Sequence, residues 1–99
     1  MADSTFIVVA RLQFHNDKVE EVKKGLLNLA HLTQQEPGCK SYELHQSSDD
    51  ESAFLIYEEW VSPDYLDKHM KSPHFKAWQE KSADMEAKPV EATFWKKLS

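Results

Sequence analysis

The chain has 99 residues, 40% of them apolar and 29% charged, which predicts one globular domain spanning residues 1–99 and excludes a disordered or fibrous chain. Twelve basic against 17 acidic residues leave a formal net charge of −5, which argues against nucleic acid or an anionic membrane as a partner. Two glycines, Gly25 and Gly38, cannot build a dinucleotide-binding turn or a P-loop, and a single cysteine, Cys39, cannot form a disulfide within the chain; the expected setting is reducing and cytoplasmic.

The chain opens on Met1-Ala2-Asp3-Ser4-Thr5, which lacks the basic start and apolar run of a leader. No apolar stretch approaches the roughly 20 residues of a membrane span. From Phe6 to Phe14 the residues alternate. Phe6, Val8, Ala10, Leu12 and Phe14 share one face, and Ile7, Val9, Arg11 and Gln13 the other, so a strand is predicted. Asn16 or Asp17 offers a helix cap, and Asp17-x-x-Glu20 resembles a capping box. Val19, Val22, Leu26, Leu29 and Ala30 then recur at helical spacing, with Lys18, Glu21, Lys23, Lys24 and Asn28 largely opposite. Pro37-Gly38 stops the helix and turns the chain.

A second strand is predicted over Cys39 to His45, with Tyr42 and Leu44 on one side and Cys39, Ser41, Glu43 and His45 on the other. The polar stretch from Gln46 to Ser52 reads as a hairpin loop. A third strand runs from Ala53 to Trp60, with Phe54, Ile56, Glu58 and Trp60 on one face and Leu55, Tyr57 and Glu59 on the second. Ser62-Pro63 and Ser72-Pro73 each pair a serine cap with a proline in the first helical turn. They predict two short helices, Pro63–Lys71 and Pro73–Met85, the second with Phe75, Trp78, Ser82 and Met85 on one stripe. Pro89 closes the helical region, and Val90 to Leu98 is the last strand. Met70 and Met85 read as core fillers.

The order is β-α-β-β-α(α)-β. It predicts an α+β protein with the ferredoxin-like split β-α-β-β-α-β arrangement, an antiparallel sheet with helices on one face. The other face carries Ile7, Val9, Leu55 and Tyr57, too apolar as a group to face water. A sheet-to-sheet homodimer through this open face would bury them. Arg11 and His45 would then lie towards the partner.

Three motifs occur in order on these elements: Glu36-Pro37-Gly38-Cys39-x-x-Tyr42-Glu43-Leu44, Tyr57-Glu58-x-Trp60, and His69-x-x-Ser72-Pro73-His74-Phe75. Together they resemble the antibiotic biosynthesis monooxygenase (ABM) family, its quinol-monooxygenase-like members most of all, along the whole chain. The resemblance implies a ferredoxin-like protomer, a dimeric α/β barrel formed through the sheets, and a pocket between sheet and helices. The family's activities include oxygenation of quinol or anthrone-like aromatics by dioxygen without metal or flavin. It also holds haem-degrading enzymes and an isomerase. The haem-degrading subgroup carries a pocket asparagine on the first strand, where this chain has Ala10, which disfavours that role.

Oxygenation without a cofactor needs a substrate that can give electrons to dioxygen as a phenolate, enolate or carbanion. The protein must take the proton, hold the anion and exclude water. His69 is the candidate base, since an imidazole titrates near neutrality. The competing reading of His69 is a hydrogen-bonded anchor for its short helix. Glu58, an acid on an otherwise apolar face, is the second catalytic candidate, as a partner for His69 or for a substrate hydroxyl. Its alternative is a purely structural hydrogen bond. Trp60, Tyr42 and Phe75 are substrate-binding candidates, each set against a plain core role. His74 is expected to be exposed and Cys39 inert.

No metal site is expected, because His69 and His74 lie five residues apart with a proline between them, off the spacing of a helical histidine pair. The function expected is cofactor-free monooxygenation of a small aromatic. A proton-transfer isomerase and a non-catalytic dimeric binding protein are the alternatives.

Overall fold

The computed structural model describes residues 4–99. Met1, Ala2 and Asp3, part of the stretch read above as lacking a leader, lie outside the described residues. The elements are β1 (Phe6–Gln13), a 3-10 turn (Asn16–Lys18), α1 (Val19–Thr33), β2 (Cys39–Gln46), β3 (Ala53–Trp60), α2 (Pro63–Met70), α3 (Pro73–Ser82) and β4 (Glu91–Lys96). The four strands form one antiparallel sheet in the order β2-β3-β1-β4, the ferredoxin-like topology predicted from the element order. Among the described residues no helix is long and apolar enough to cross a membrane.

Register follows the alternation in the sequence. Val8, Ala10 and Leu12 of β1 stand opposite Glu58, Ile56 and Phe54 of β3, all turned to the helices and buried. Ile7, Val9 and Arg11 pair with Glu59, Tyr57 and Leu55 on the outer face. Cys39 departs from its expected side. The pairing shifts between Cys39 and Ser41, so Cys39 stands opposite Trp60 and packs against the core, while Ser41 onwards keeps the predicted alternation. A β-bulge adds one residue to one strand and thereby reverses every side chain before it.

The helices end earlier than their apolar stripes. α2 stops at Met70 and α3 at Ser82, although Met85 beyond it is still buried. The expected cap at Asp17 is replaced by the 3-10 turn, and Ser62 forms no side-chain cap bond. Ser72 does cap: its hydroxyl accepts from the Phe75 amide at 3.3 Å and donates to the His69 carbonyl at 2.6 Å. One serine thus ends α2 and starts α3. Met70, expected in the core, is half exposed.

The helices pack on β2, on β3 and on one another, and all six residues of β4 are exposed. The inner face of β4 therefore leaves one side of the sheet–helix interior uncovered. Where α1 meets α3, Gly25 lies against the indole of Trp78, which itself packs edge-on to Phe14 at 6.2 Å. A methyl group on residue 25 would collide with that ring. In a free helix, alanine would gain about 1 kcal/mol over glycine. Overpacking a rigid aromatic contact costs about 1–3 kcal/mol. Gly25→Ala is therefore expected to lower stability by up to about 2 kcal/mol in urea unfolding, without the gain of about 1 kcal/mol that the ordinary helix effect would bring.

Candidate active site

The hollow left by these layers has a volume of about 260 Å³. Its floor is β1 and β3 (Val8, Ala10, Leu12, Ile56, Glu58), its roof α2 and α3 (Leu66, His69, Phe75, Trp78), and its open side β4 (Val90, Ala92, Phe94). The lining is mostly apolar, as a small-molecule site requires. Ala10 offers no polar atom from the first strand. A second, broader depression runs over the outer sheet face beside Arg11, His45, Leu55 and Tyr57.

His69 is 2% exposed and forms the polar centre of the roof. Its ring stands 4.8 Å from Phe75, 5.1 Å from Trp60 and 5.7 Å from Tyr42, centroid to centroid. Its Nδ1 lies 2.7 Å from Oε2 of Glu36, a residue in the turn between α1 and β2. A carboxylate can only accept, so Nδ1 carries the proton and Nε2 of the neutral ring keeps its lone pair. The same Glu36 oxygen lies 2.6 Å from His74 Nε2, so two imidazoles share one carboxylate. Burial pulls the His69 pKa down; the bond and charge of Glu36 oppose this. Burial thus keeps the ring neutral and Glu36 fixes its tautomer.

Glu58 is 5% exposed, and its Oε1 accepts from the Trp60 indole N–H at 2.9 Å. The partner of His69 is therefore Glu36, and that of Glu58 is Trp60. Burial pushes the Glu58 carboxyl up to about 7, with the indole bond opposing and the negative charge of Glu36 reinforcing. Tyr42, opposite Glu58 on β2, is raised by burial first and then by the Glu58 charge, so it stays a phenol. Cys39 is raised to about 11 by burial and by the charges of Glu36 and Glu58, which keeps it an unreactive thiol.

Trp60 is fully buried and lies behind His69, away from the cavity wall; Tyr42 and Phe75 do line it. Among the described residues, Thr33 Oγ1 is the buried side-chain polar atom sealed off without a hydrogen bond. His69 Nε2, Glu58 Oε2 and Tyr42 Oη form no hydrogen bond either, yet they are not sealed, and all three residues line the cavity. The hollow thus has aromatic and aliphatic walls, and an acceptor nitrogen, a carboxyl oxygen and a phenol are among the polar atoms open to it.

Two side chains of the candidate site are not singled out by the sequence. Glu36 stands 33 residues before His69 and was visible only as the first residue of the Glu-Pro-Gly motif. His74 was expected to be exposed. It is 21% exposed and bonded to Glu36, because the Ser72 turn folds α3 back beside α2.

The family model described as antibiotic biosynthesis monooxygenase matches residues 5–81. The chain belongs to the antibiotic biosynthesis monooxygenase family. It is 33% identical over 95 residues to sll1783 of Synechocystis, an uncharacterized protein, covering 96% of this chain and 65% of that relative; it thus spans about two thirds of the relative's length. It is 29% identical over 90 residues to Rv0793 of Mycobacterium tuberculosis, named as a candidate monooxygenase, covering 91% of this chain and 88% of that protein. The solved structure of Rv0793 superposes with a TM-score of 0.90 over 97% of each chain. A family structure from Nitrosomonas europaea gives 0.95 at 22% identity, over 99% of this chain and 94% of that one, a likeness of fold.

A pH signature follows from Glu58. Its folded-state pKa of about 7 lies above the usual carboxyl value of 4.5, so the folded protein holds this proton more tightly. Stability from this group is full below pH 4.5 and is lost as pH rises through about 7. The facing groups are Tyr42, Cys39, His69 and the charge of Glu36. Glu58→Gln resembles the protonated form and abolishes the effect. From pH 4.5 to 8.5, wild type is expected to lose about 2–3 kcal/mol relative to Glu58→Gln in denaturant unfolding. A pH-independent difference between the two proteins would refute the assignment.

Proposed function

We propose that this protein is a cofactor-independent monooxygenase acting on a small quinol- or anthrone-like aromatic. The observation that carries the reading is the unspent Nε2 of His69, in a ring whose other nitrogen is held by Glu36, at the wall of an apolar cavity. In this reading the aromatic slides in beside β4, its face against Phe75 and its oxygen towards Nε2. His69 takes the hydroxyl or benzylic proton, and Glu36 stabilises the imidazolium that results. The anion gives electrons to dioxygen and a carbon–oxygen bond forms. The O–O bond then breaks as the remaining hydrogen on that carbon leaves as a proton: one oxygen stays on the substrate as a carbonyl, and the other takes up two protons, equal in number to those the substrate gave up, and leaves as water. Glu58, with its carboxyl near 7, supplies a proton to the departing oxygen, and Tyr42 donates a hydrogen bond to the substrate anion. The mostly apolar walls limit the water that can reach the anion.

A homodimer through the outer sheet face belongs to this reading. Val9, Leu55 and Tyr57 are half-buried there, and Trp95 is 54% exposed beside them. A cytoplasmic location fits the single unpaired Cys39. The test is oxygen uptake with a panel of reduced naphthoquinones and anthrones. Uptake of one dioxygen per product is expected. Turnover that persists without oxygen would favour an isomerase. Ligand binding in a thermal-shift screen without any turnover would favour a binding protein. A monomeric mass in light scattering at micromolar concentration would remove the dimer.

A further inference from the structure

The spacing of His69 and His74 excludes a histidine pair on one helix, but these residues belong to two helices. The Ser72 turn sets their rings 6.1 Å apart, with the Glu36 carboxylate between them. His69 Nδ1, His74 Nε2 and a Glu36 oxygen lie within 4.8 Å of one another. Two imidazoles and one carboxylate are a donor set for zinc-class divalent ions. Metal–ligand bonds of about 2.0–2.2 Å need donor atoms roughly 3.3 Å apart, so the present contacts of 2.6 and 2.7 Å must open by about half an ångström. His74 at 21% and Glu36 at 14% exposure give the ion a path from solvent, leaving a fourth position for water.

We propose that Glu36, His69 and His74 form a binding site for a divalent transition ion such as Zn²⁺, and that its occupation switches off the base at His69. The physical reason is the tautomer. An ion on Nδ1 displaces the proton that now points at Glu36, and a neutral imidazole must then carry its proton on Nε2. Nε2 ceases to be an acceptor and presents an N–H to the cavity. His74 likewise moves its proton from Nε2 to Nδ1, so each ring keeps one proton and no net charge leaves with the exchange. The ion sits on the solvent side of the ring and leaves the cavity open, so the effect falls on proton transfer and spares access. The inhibition rests on the base reading given above; the binding does not.

The test separates the two. Co²⁺ titration of chelator-treated protein is followed by visible absorption, and Zn²⁺ titration by calorimetry. One ion per chain is expected, with affinity at least about 100-fold lower in His74→Ala, which loses a direct ligand. Long-range ¹H–¹⁵N spectra of the imidazoles should show His69 protonated at Nδ1 without metal and at Nε2 with Zn²⁺. Zn²⁺ should suppress oxygen uptake, and the ratio of rates with and without Zn²⁺ should move towards one in His74→Ala. Equal ion affinity in wild type and His74→Ala overturns the site, since other histidines then bind the ion. An unmoved His69 tautomer overturns the switch. Ion binding and tautomer exchange in a protein that never turns over a substrate sustain the site and sink the base reading alone.

Discussion

Glu36→Gln is expected to slow substrate-dependent oxygen uptake by about 10²–10⁴-fold while the protein stays folded. The substitution keeps the size and shape of the side chain but removes its charge. One Glu36 oxygen serves both rings, so the amide oxygen can still accept from them, but the imidazolium that forms when His69 takes a proton loses its counter-charge. In another carboxylate–histidine pair the same kind of substitution costs about 10⁴-fold. His69→Ala removes the base outright and should fall in the same range. It also leaves a void among Phe75, Trp60 and Tyr42, so lost activity there has two possible causes. Glu36→Gln has one. Its unfolding midpoint should stay close to wild type, since His74 still holds residue 36 on its exposed side. Oxygen-electrode rates at wild-type level in Glu36→Gln would reduce the pair to a structural contact.

The largest loss of stability is expected from Trp60→Ala, about 3–5 kcal/mol. A domain of this kind holds only about 5–15 kcal/mol in total, so the variant should be partly unfolded at moderate urea. Trp60 is fully buried and is the surface on which His69 rests at 5.1 Å. It is also the hydrogen-bond partner of Glu58, and without it a carboxyl group stays in the interior with no donor. Trp60→Phe separates the two contributions. It keeps a ring for packing and removes the N–H, so about 1–3 kcal/mol is expected to go. That loss should be greater at pH 8 than at pH 5, because the indole bond favours the ionised carboxylate and its removal pushes the Glu58 pKa higher still. An equal loss at both pH values would mean that the indole bond carries no charge stabilisation.

Much of this molecule can be read along the chain. The alternation from Phe6 to Phe14 and from Ala53 to Trp60 names the two central strands and the faces they bury, because a strand's side chains have period two whatever surrounds them. The stripe from Val19 to Ala30 names α1 in the same way, and the whole stripe is buried. His69 stands out as an imidazole that can titrate near neutrality, and Glu58 as an acid on an apolar face; both line the cavity. The three motifs point to the family whose model matches residues 5–81.

Other features depend on meetings between distant segments. Cys39 faces the core because β2 and β3 pair with a bulge, and no local pattern announces one extra residue. His74 looks like a solvent-facing first-turn residue until the Ser72 hydroxyl ties two helices into one corner. Glu36 looks like a turn residue until the corner brings both imidazoles to its oxygen.

By itself the sequence determined the order of strands and helices, the faces they bury and the residue types able to move a proton. Local periodicity and backbone preference act over a few residues and are written there directly. The tertiary structure alone decided which carboxylate holds which ring, which nitrogen of His69 remains open, and that the sheet and helices leave a hollow instead of closing. Those outcomes depend on how closely groups 30 or more residues apart approach in space, as with Glu36 and His69, 33 residues apart. Hydrogen bonding and packing act at the contact distance itself, which no local pattern encodes.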